Sequence, residues 1–77
     1  MTNQDLYNNC QKLLEYTKNK LKQFDGYYYV DYRTIKDVCG ANADAVFLHI
    51  GNSDIARFMD DTKGIKIKCD AINPKDY

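Results

Sequence analysis

The sequence predicts one α+β domain that is mainly helical. Three observations predict it: an N-terminal apolar stripe with helical spacing, glycines that divide the middle of the chain, and strict alternation of apolar and polar residues at positions 65–70. The chain has 77 residues, of which 44% are apolar and 29% charged, a composition that supports a folded core rather than a disordered segment. We assign residues 1–72 to the domain and residues 73–77 to a polar C-terminal tail.

The first predicted element is a long helix over residues 3–24. Its apolar or semi-apolar residues alternate in steps of three and four, which places them on one face: Tyr7, Cys10, Leu14, Thr17, Leu21 and Phe24. Such a helix is about 30 Å long, which is long for so small a domain. We therefore expect part of its apolar surface to form a homodimer interface, which would contain Leu6, Tyr7, Leu13, Leu14 and Leu21.

A short strand and two short helices are predicted next. Residues 27–30 are three tyrosines and a valine, which favour β-structure. Asp31 is placed to cap a helix over residues 32–39, which Gly40 ends. Asn42 is placed to cap a second helix over residues 43–50, so the two helices meet at a tight turn.

Two further elements complete the predicted domain. Ile55, Phe58 and Met59 have the spacing of a helix face, which predicts a helix over residues 54–62 that Gly64 ends. Apolar and polar side chains then alternate over residues 65–70, which indicates a half-buried C-terminal strand.

The segment Thr34-Ile35-Lys36-Asp37-Val38-Cys39-Gly40 resembles the first helix of a helix-turn-helix. Lactose-repressor-type regulators commonly open this helix with Thr-Ile-x-Asp-Val, and the predicted order of helix, strand, helix, turn and helix is similar to that of winged-helix domains. The resemblance is centred on residues 27–51 and implies a winged-helix-like fold that binds double-stranded DNA. The sequence departs from that family where a hairpin wing belongs, because it predicts the helix over residues 54–62 there.

The resemblance also implies a set of DNA-contacting residues. Around the second short helix, Asn42, His49 and Asn52 offer groups that can read a base, whereas Asp44 has the wrong charge for a phosphate. The uneven distribution of charge along the chain separately predicts the basic side chains that contact the DNA backbone: Arg33, Lys36, Lys63, Lys66 and Lys68. The expected function is that of a small transcriptional regulator. Eleven basic and eleven acidic residues leave a formal net charge of zero, so any basic surface must be local. The alternative interpretation of Lys66 and Lys68 is that they are solvated side chains that protect the edge of a small sheet.

Four of the seven tyrosines cluster around the predicted strand. Tyr27 and Tyr29 lie on one side of this strand, and Tyr28 and Tyr32 lie on the other. The outward pair can stack on bases or anchor a protein interface, and filling a thin core is the alternative role for these rings.

We expect no enzymatic activity, no cofactor and no metal. The chain has one histidine, and it contains no phosphate-binding loop or hydrolase motif. Cys10, Cys39 and Cys69 are an odd number without a C-x-x-C pair, which favours free thiols in a reducing cytoplasm. No apolar run approaches the roughly 18–20 residues of a membrane span, so no membrane partner is expected.

A second class of function stays open at this point. The neutral charge balance, the acidic stretch at residues 54–61 and the expected exposure of Leu48 also fit a protein-interaction module. Such an adaptor or inhibitor would keep a helix-turn-helix-like scaffold without binding DNA.

Overall fold

The computed structural model describes residues 3–71, and within them the chain forms three α-helices and four strands. In chain order these are α1 (Asn3–Lys20), β1 (Gln23–Phe24), β2 (Tyr27–Asp31), α2 (Tyr32–Cys39), α3 (Ala43–Gly51), β3 (Ala56–Phe58) and β4 (Gly64–Lys68). Short 3-10 turns occupy Gly40–Asn42 and Cys69–Ala71. The predicted α+β class is confirmed, and the predicted tail at residues 73–77 lies outside the described residues.

The four strands form one antiparallel sheet in the order β1-β2-β4-β3. Strand β4 is central, because Ile65 pairs with Val30 of β2 on one side and with Phe58 of β3 on the other. Alternate side chains of the sheet point toward the helices and are buried with the apolar faces of α1, α2 and α3. The largest fully buried aliphatic side chains are Leu13, Leu14, Val30, Ile35, Val46, Ile50, Ile65 and Ile67.

The predicted helix over residues 54–62 is wrong. Residues Ala56–Phe58 form strand β3, and a loop connects this strand to β4. Ala56 is buried and Arg57 is exposed, so this segment alternates with period two. Phe58 packs on Phe47 of α3, with ring centroids 5.1 Å apart. The backbone N–H and C=O groups of this segment form hydrogen bonds with β4 instead of the hydrogen bonds they would form within a helix.

The first helix ends at Lys20 rather than at residue 24. Asp25 and Gly26 both have positive φ, at 55° and 83°, as in the two-residue turns that favour Asp-Gly in β-hairpins. This turn pairs Phe24 with Tyr27, so Phe24 leaves the predicted helical stripe and lies on the sheet. The predicted C-terminal strand is confirmed over Gly64–Lys68, whereas Cys69 and Asp70 belong to the 3-10 turn that follows it.

Asp31 links the sheet to the helix pair. Its carboxylate accepts a hydrogen bond from the backbone N–H of Thr34 at 2.8 Å, which caps α2 as the sequence predicts. The hydrogen bonds from Thr34 lower the pKa of the Asp31 carboxyl below its usual value of 3.8. Helices α2 and α3 are separate, as predicted, because Gly40 has a positive φ of 60° between them.

We expect Asp31→Ala to lower the free energy of unfolding by about 1 kcal/mol at neutral pH, whereas Asp31→Ser should retain most of the cap. Because the folded pKa lies below the unfolded one, the ionised cap stabilises the fold above pH 3.8, and this contribution is lost as the pH falls through the folded pKa. Urea denaturation between about pH 6 and about pH 2.5 should therefore show the wild-type advantage over Asp31→Ala shrinking. A constant advantage across that range would contradict the role of the carboxylate.

Candidate nucleic-acid interface

The surface of the sheet that faces away from the helices carries both rings and cations. Strand alternation turns Tyr28, Val30, Ile65 and Ile67 inward, and it turns their neighbours along the strands outward. The register places Tyr29 opposite Lys66 and Tyr27 opposite Lys68. We call this surface the outer sheet face; it consists of Phe24, Tyr27, Tyr29, Arg57, Lys66 and Lys68.

Three of these side chains form a continuous row of aromatic rings. The centroids of Phe24 and Tyr29 are 6.1 Å apart, and those of Tyr27 and Tyr29 are 6.4 Å apart. Phe24 is 70% exposed, which is unusual for a phenylalanine ring, and Tyr29 is 41% exposed. The row is therefore a surface on which another flat ring can stack.

Three cations border the rings on β3 and β4. Arg57 is directly opposite Lys66 across the β3–β4 ladder, and the Lys66 ammonium lies 5.1 Å from the centroid of Tyr27. Lys66 and Lys68 also line an open groove of about 810 Å³ along the β3 edge, together with Arg57. Three of the eleven basic residues thus lie together on one side of a chain whose net charge is zero.

Carboxylates limit this positive area at its ends. Asp31 points outward at the end of β2, and its carboxylate caps α2 in the ionised form. Asp54 and Asp60 line the groove beside the cations, and Asp60 and Asp61 also line a smaller cleft of about 320 Å³ next to Tyr29. A polyanion would therefore lie along the middle of the sheet rather than over the β3–β4 loop.

The predicted base-reading residues do not lie on the outer sheet face, although Asn52 lines the groove beside it. Asn42 is half-buried in the 3-10 turn, and the Asn52 side chain donates a hydrogen bond to the Leu48 carbonyl oxygen at 2.9 Å. His49 is exposed, but it lies in a small cleft against α1 that Leu6 and Tyr7 also line. The three residues do not converge on one position.

The predicted backbone-contacting residues separate into two groups. Lys66 and Lys68 lie on the outer sheet face, whereas Arg33 and Lys36 are exposed on α2. Lys63 belongs with the helices, because its ammonium lies 3.9 Å from the centroid of the Tyr32 ring at the start of α2.

Lys63 is part of a polar cluster that joins α2 to α3. The Tyr32 hydroxyl donates a hydrogen bond to the carboxylate of Asp44, and this bond raises the pKa of Tyr32 above its usual value of 10.0. Asp44 is thereby engaged within the protein, and the cluster has the character of a structural contact between helices.

The predicted dimer residues differ in exposure. Leu13 and Leu14 are 0% and 1% exposed and belong to the core of the single chain, so they are not available to a second copy. Leu6 and Leu21 are half-buried against that core, and Tyr7 is 43% exposed. A homodimer through α1 stays a prediction, and of the predicted interface residues only Leu6, Tyr7 and Leu21 are accessible to a second copy.

The cysteines are free thiols, as the sequence predicts. Cys10 and Cys39 are buried, and burial raises the pKa of the Cys39 thiol to about 11. Over residues 3–71, no three His, Cys, Asp or Glu side chains come together in a way that could hold a metal ion. None of the helices described is long and apolar enough to cross a membrane.

Comparison of the chain with protein-family models, with curated proteins and with solved structures finds no match. The outer sheet face and the topology that builds it are therefore the features from which a function can be inferred.

Sequence reasoning missed two members of the outer sheet face, Phe24 and Arg57. The Asp25-Gly26 pair is a hairpin signal that indicates a strand, rather than a helix end, before Tyr27. Arg57 lies between the inward residues Ala56 and Phe58, but three residues are too short for the alternation to be distinguished from a helical pattern.

Proposed function

We propose that this chain is a small DNA-binding protein on a winged-helix-like scaffold and that it contacts DNA with the outer sheet face. The observation that carries the proposal is the grouping of Arg57, Lys66 and Lys68 beside exposed rings on one side of a chain whose net charge is zero. Cations of this kind bind phosphates, and rings of this kind bind bases or sugars.

The order of elements supports the scaffold. Apart from the two-residue strand β1 after α1, the order of α1, β2, α2, the turn at Gly40 and α3 is similar to that of the winged-helix family. The β3–β4 hairpin follows α3 at the position of a wing, where the sequence predicts a helix. A role in transcription regulation would follow from this resemblance.

The exposed surface of α3 is less suited to DNA than the sheet. Its outward side chains include Asp44 and Leu48, and the latter is 53% exposed. Leu48 has no hydrogen-bonding group in its side chain, and the ionised carboxylate of Asp44 cannot donate a hydrogen bond to a phosphate or a base edge. We therefore place the contact on β2, β3 and β4 rather than on α3.

Charge reversal tests the proposal. We expect Lys66→Glu/Lys68→Glu to weaken binding to DNA of mixed sequence by at least about tenfold at about 50 mM salt, since phosphate contacts supply most sequence-independent affinity. The matched control is Lys18→Glu/Lys20→Glu, which changes the net charge equally at exposed positions on α1. Fluorescence anisotropy with labelled duplex and single-stranded DNA measures both variants.

The salt dependence of the wild-type protein completes this test. Three phosphate contacts predict that the logarithm of the binding constant falls with the logarithm of salt concentration with a slope of about −2 to −3. Binding that does not change with salt, or an equal loss in both charge-reversal variants, would refute the outer sheet face as the contact surface.

The second candidate is the protein-interaction module. It is favoured by the exposure of Leu48 and Tyr7 and by the cleft of about 210 Å³ between α1 and α3 that Leu6, Tyr7 and His49 line. Failure of all DNA forms to bind in the anisotropy experiment would leave this candidate as the better one.

A further inference from the structure

The aromatic row on the outer sheet face is exposed in a way that duplex DNA does not require. Cations are sufficient to bind phosphates. They do not explain why the Phe24 ring is 70% exposed and lies next to the Tyr29 ring, with the two centroids 6.1 Å apart. Bases inside a duplex are stacked on each other, so their flat faces are not accessible to a protein ring. The bases of a single strand are accessible.

We propose that the outer sheet face binds single-stranded DNA, with bases stacked on Phe24 and Tyr29 and phosphates directed toward the cations of β3 and β4. This inference rests on the proposed function and specifies the form of the nucleic acid. Single-strand binding elsewhere combines a positively charged surface with aromatic side chains, and both features occur here in adjacent strands.

The register of the sheet explains why the two features are adjacent. Tyr29 lies directly opposite Lys66, which in turn lies opposite Arg57, so a ring and two cations follow each other across three strands. A base on Tyr29 therefore has cations on its β4 side, where its own phosphate can lie. Tyr27 is less available for stacking, because the Lys66 ammonium already lies 5.1 Å from its ring centroid.

The strand positions of this surface carry three cations, Arg57, Lys66 and Lys68, and one carboxylate, Asp31, and this positive excess favours a polyanion over a basic protein partner. The carboxylates of Asp54, Asp60 and Asp61 lie outside the strands, along the groove and the cleft beside them. DNA rather than RNA follows from the proposed function, and the comparison with oligouridine tests it, because the hydroxyls of Tyr27 and Tyr29 can also hydrogen-bond a 2′-hydroxyl.

The experiment uses the full chain and three labelled probes: oligothymidine of about 12 nucleotides, oligouridine of the same length and a mixed-sequence duplex. We expect oligothymidine to bind most tightly. Phe24→Ala and Tyr29→Ala should each weaken this binding by about fivefold or more, because stacking on one ring contributes about 1–3 kcal/mol per base. The salt slope should be unchanged, since the rings do not contact phosphates.

Two further variants separate stacking from a general loss of structure. Tyr16→Ala removes an exposed tyrosine from α1, away from the sheet, and should leave oligothymidine binding unchanged. Phe24→Trp introduces the first tryptophan of the chain and keeps a stacking ring, so oligothymidine should bind it at least as tightly and quench its fluorescence.

The outcomes distinguish this inference from the proposed function. Tight binding of the duplex without binding of oligothymidine would overturn the single-strand inference and leave the DNA-binding function in place. Absence of binding to any probe would overturn both. Three other results would overturn the stacking of DNA bases on Phe24 and Tyr29. They are tighter binding of oligouridine than of oligothymidine, competition by polyphosphate that is as effective as competition by oligothymidine, and wild-type affinity of the alanine variants.

Discussion

Replacement of Ile65 by alanine is expected to destabilise the protein by about 3–4 kcal/mol, within the roughly 2–5 kcal/mol range for buried aliphatic truncations. Ile65 is fully buried, and its strand is hydrogen-bonded on both sides, through Val30 and Phe58. The two ladders hold the backbone of β4 in place, so the sheet cannot move into the cavity, and relaxation is limited to the helices packed on it. A domain of this size has a total stability of only about 4–12 kcal/mol.

The matched control for this experiment is Ile65→Val, which removes one methylene group and should cost about 0.5–1.5 kcal/mol. Urea denaturation followed by circular dichroism measures both variants. A loss below about 1 kcal/mol for Ile65→Ala would mean that β4 is not at the centre of the core. The same result would remove the basis for placing Lys66 and Lys68 on the opposite side of the strand.

The helices of this chain were the most predictable part of the fold. Asp31 and Gly40 define α2 from their own chemistry, a side-chain cap at one end and a positive φ at the other. Such signals are local, so they are visible in the sequence. The alternation of β4 is also local, because Ile65 and Ile67 are separated by a polar residue that must point to the other side.

The β3 segment was not predictable in the same way. Ile55, Phe58 and Met59 are compatible with a helix face, and nothing within residues 54–62 excludes it. The pairing of Ala56 with Ile67 and the contact of Phe58 with Phe47 decide the structure, and both depend on residues outside the segment itself. Pairing with the next strand and packing on α3 therefore override the pattern within the segment.

The candidate site was predictable only in part for the same reason. The sequence indicates that Lys66 and Lys68 share a side of one strand and that Tyr27 and Tyr29 share a side of another. Their meeting depends on the antiparallel register of β2 and β4, and a shift by one residue would turn one set toward the core. The outer sheet face is thus a property of the register.

Gly64 is the residue at which this register is most sensitive to substitution. It is buried at the end of the β2–β4 ladder, opposite Asp31. A Cβ atom at this position would lie 2.7 Å from the carbonyl oxygen of Val30 and 3.0 Å from the Cα atom of Asp31. Both contacts are with backbone, which cannot rotate away as a side chain can, so the two strands must separate.

We expect Gly64→Ala to lower the free energy of unfolding by about 2–3 kcal/mol, at the upper end of the range for overpacking. The added methyl group would also meet the terminal methyl of Met59, a flexible side chain that can move. Met59→Ala is therefore the informative companion. It should not restore the loss caused by Gly64→Ala, because the contact with the Val30 carbonyl oxygen remains.

A double-mutant cycle of Gly64→Ala and Met59→Ala, measured by urea denaturation, separates the two contacts. If Met59→Ala removes most of the loss, the clash is with the side chain and the β2–β4 register tolerates a methyl group at position 64. If the loss persists, the strands themselves are displaced at the ladder end that holds Asp31, two residues from Tyr29 and Lys66. In that case the Gly64→Ala variant, measured at a low temperature at which it remains folded, should also bind oligothymidine more weakly than the wild-type protein. The substitution alters neither a ring nor a cation of the outer sheet face, so the weaker binding would come from the displaced strands.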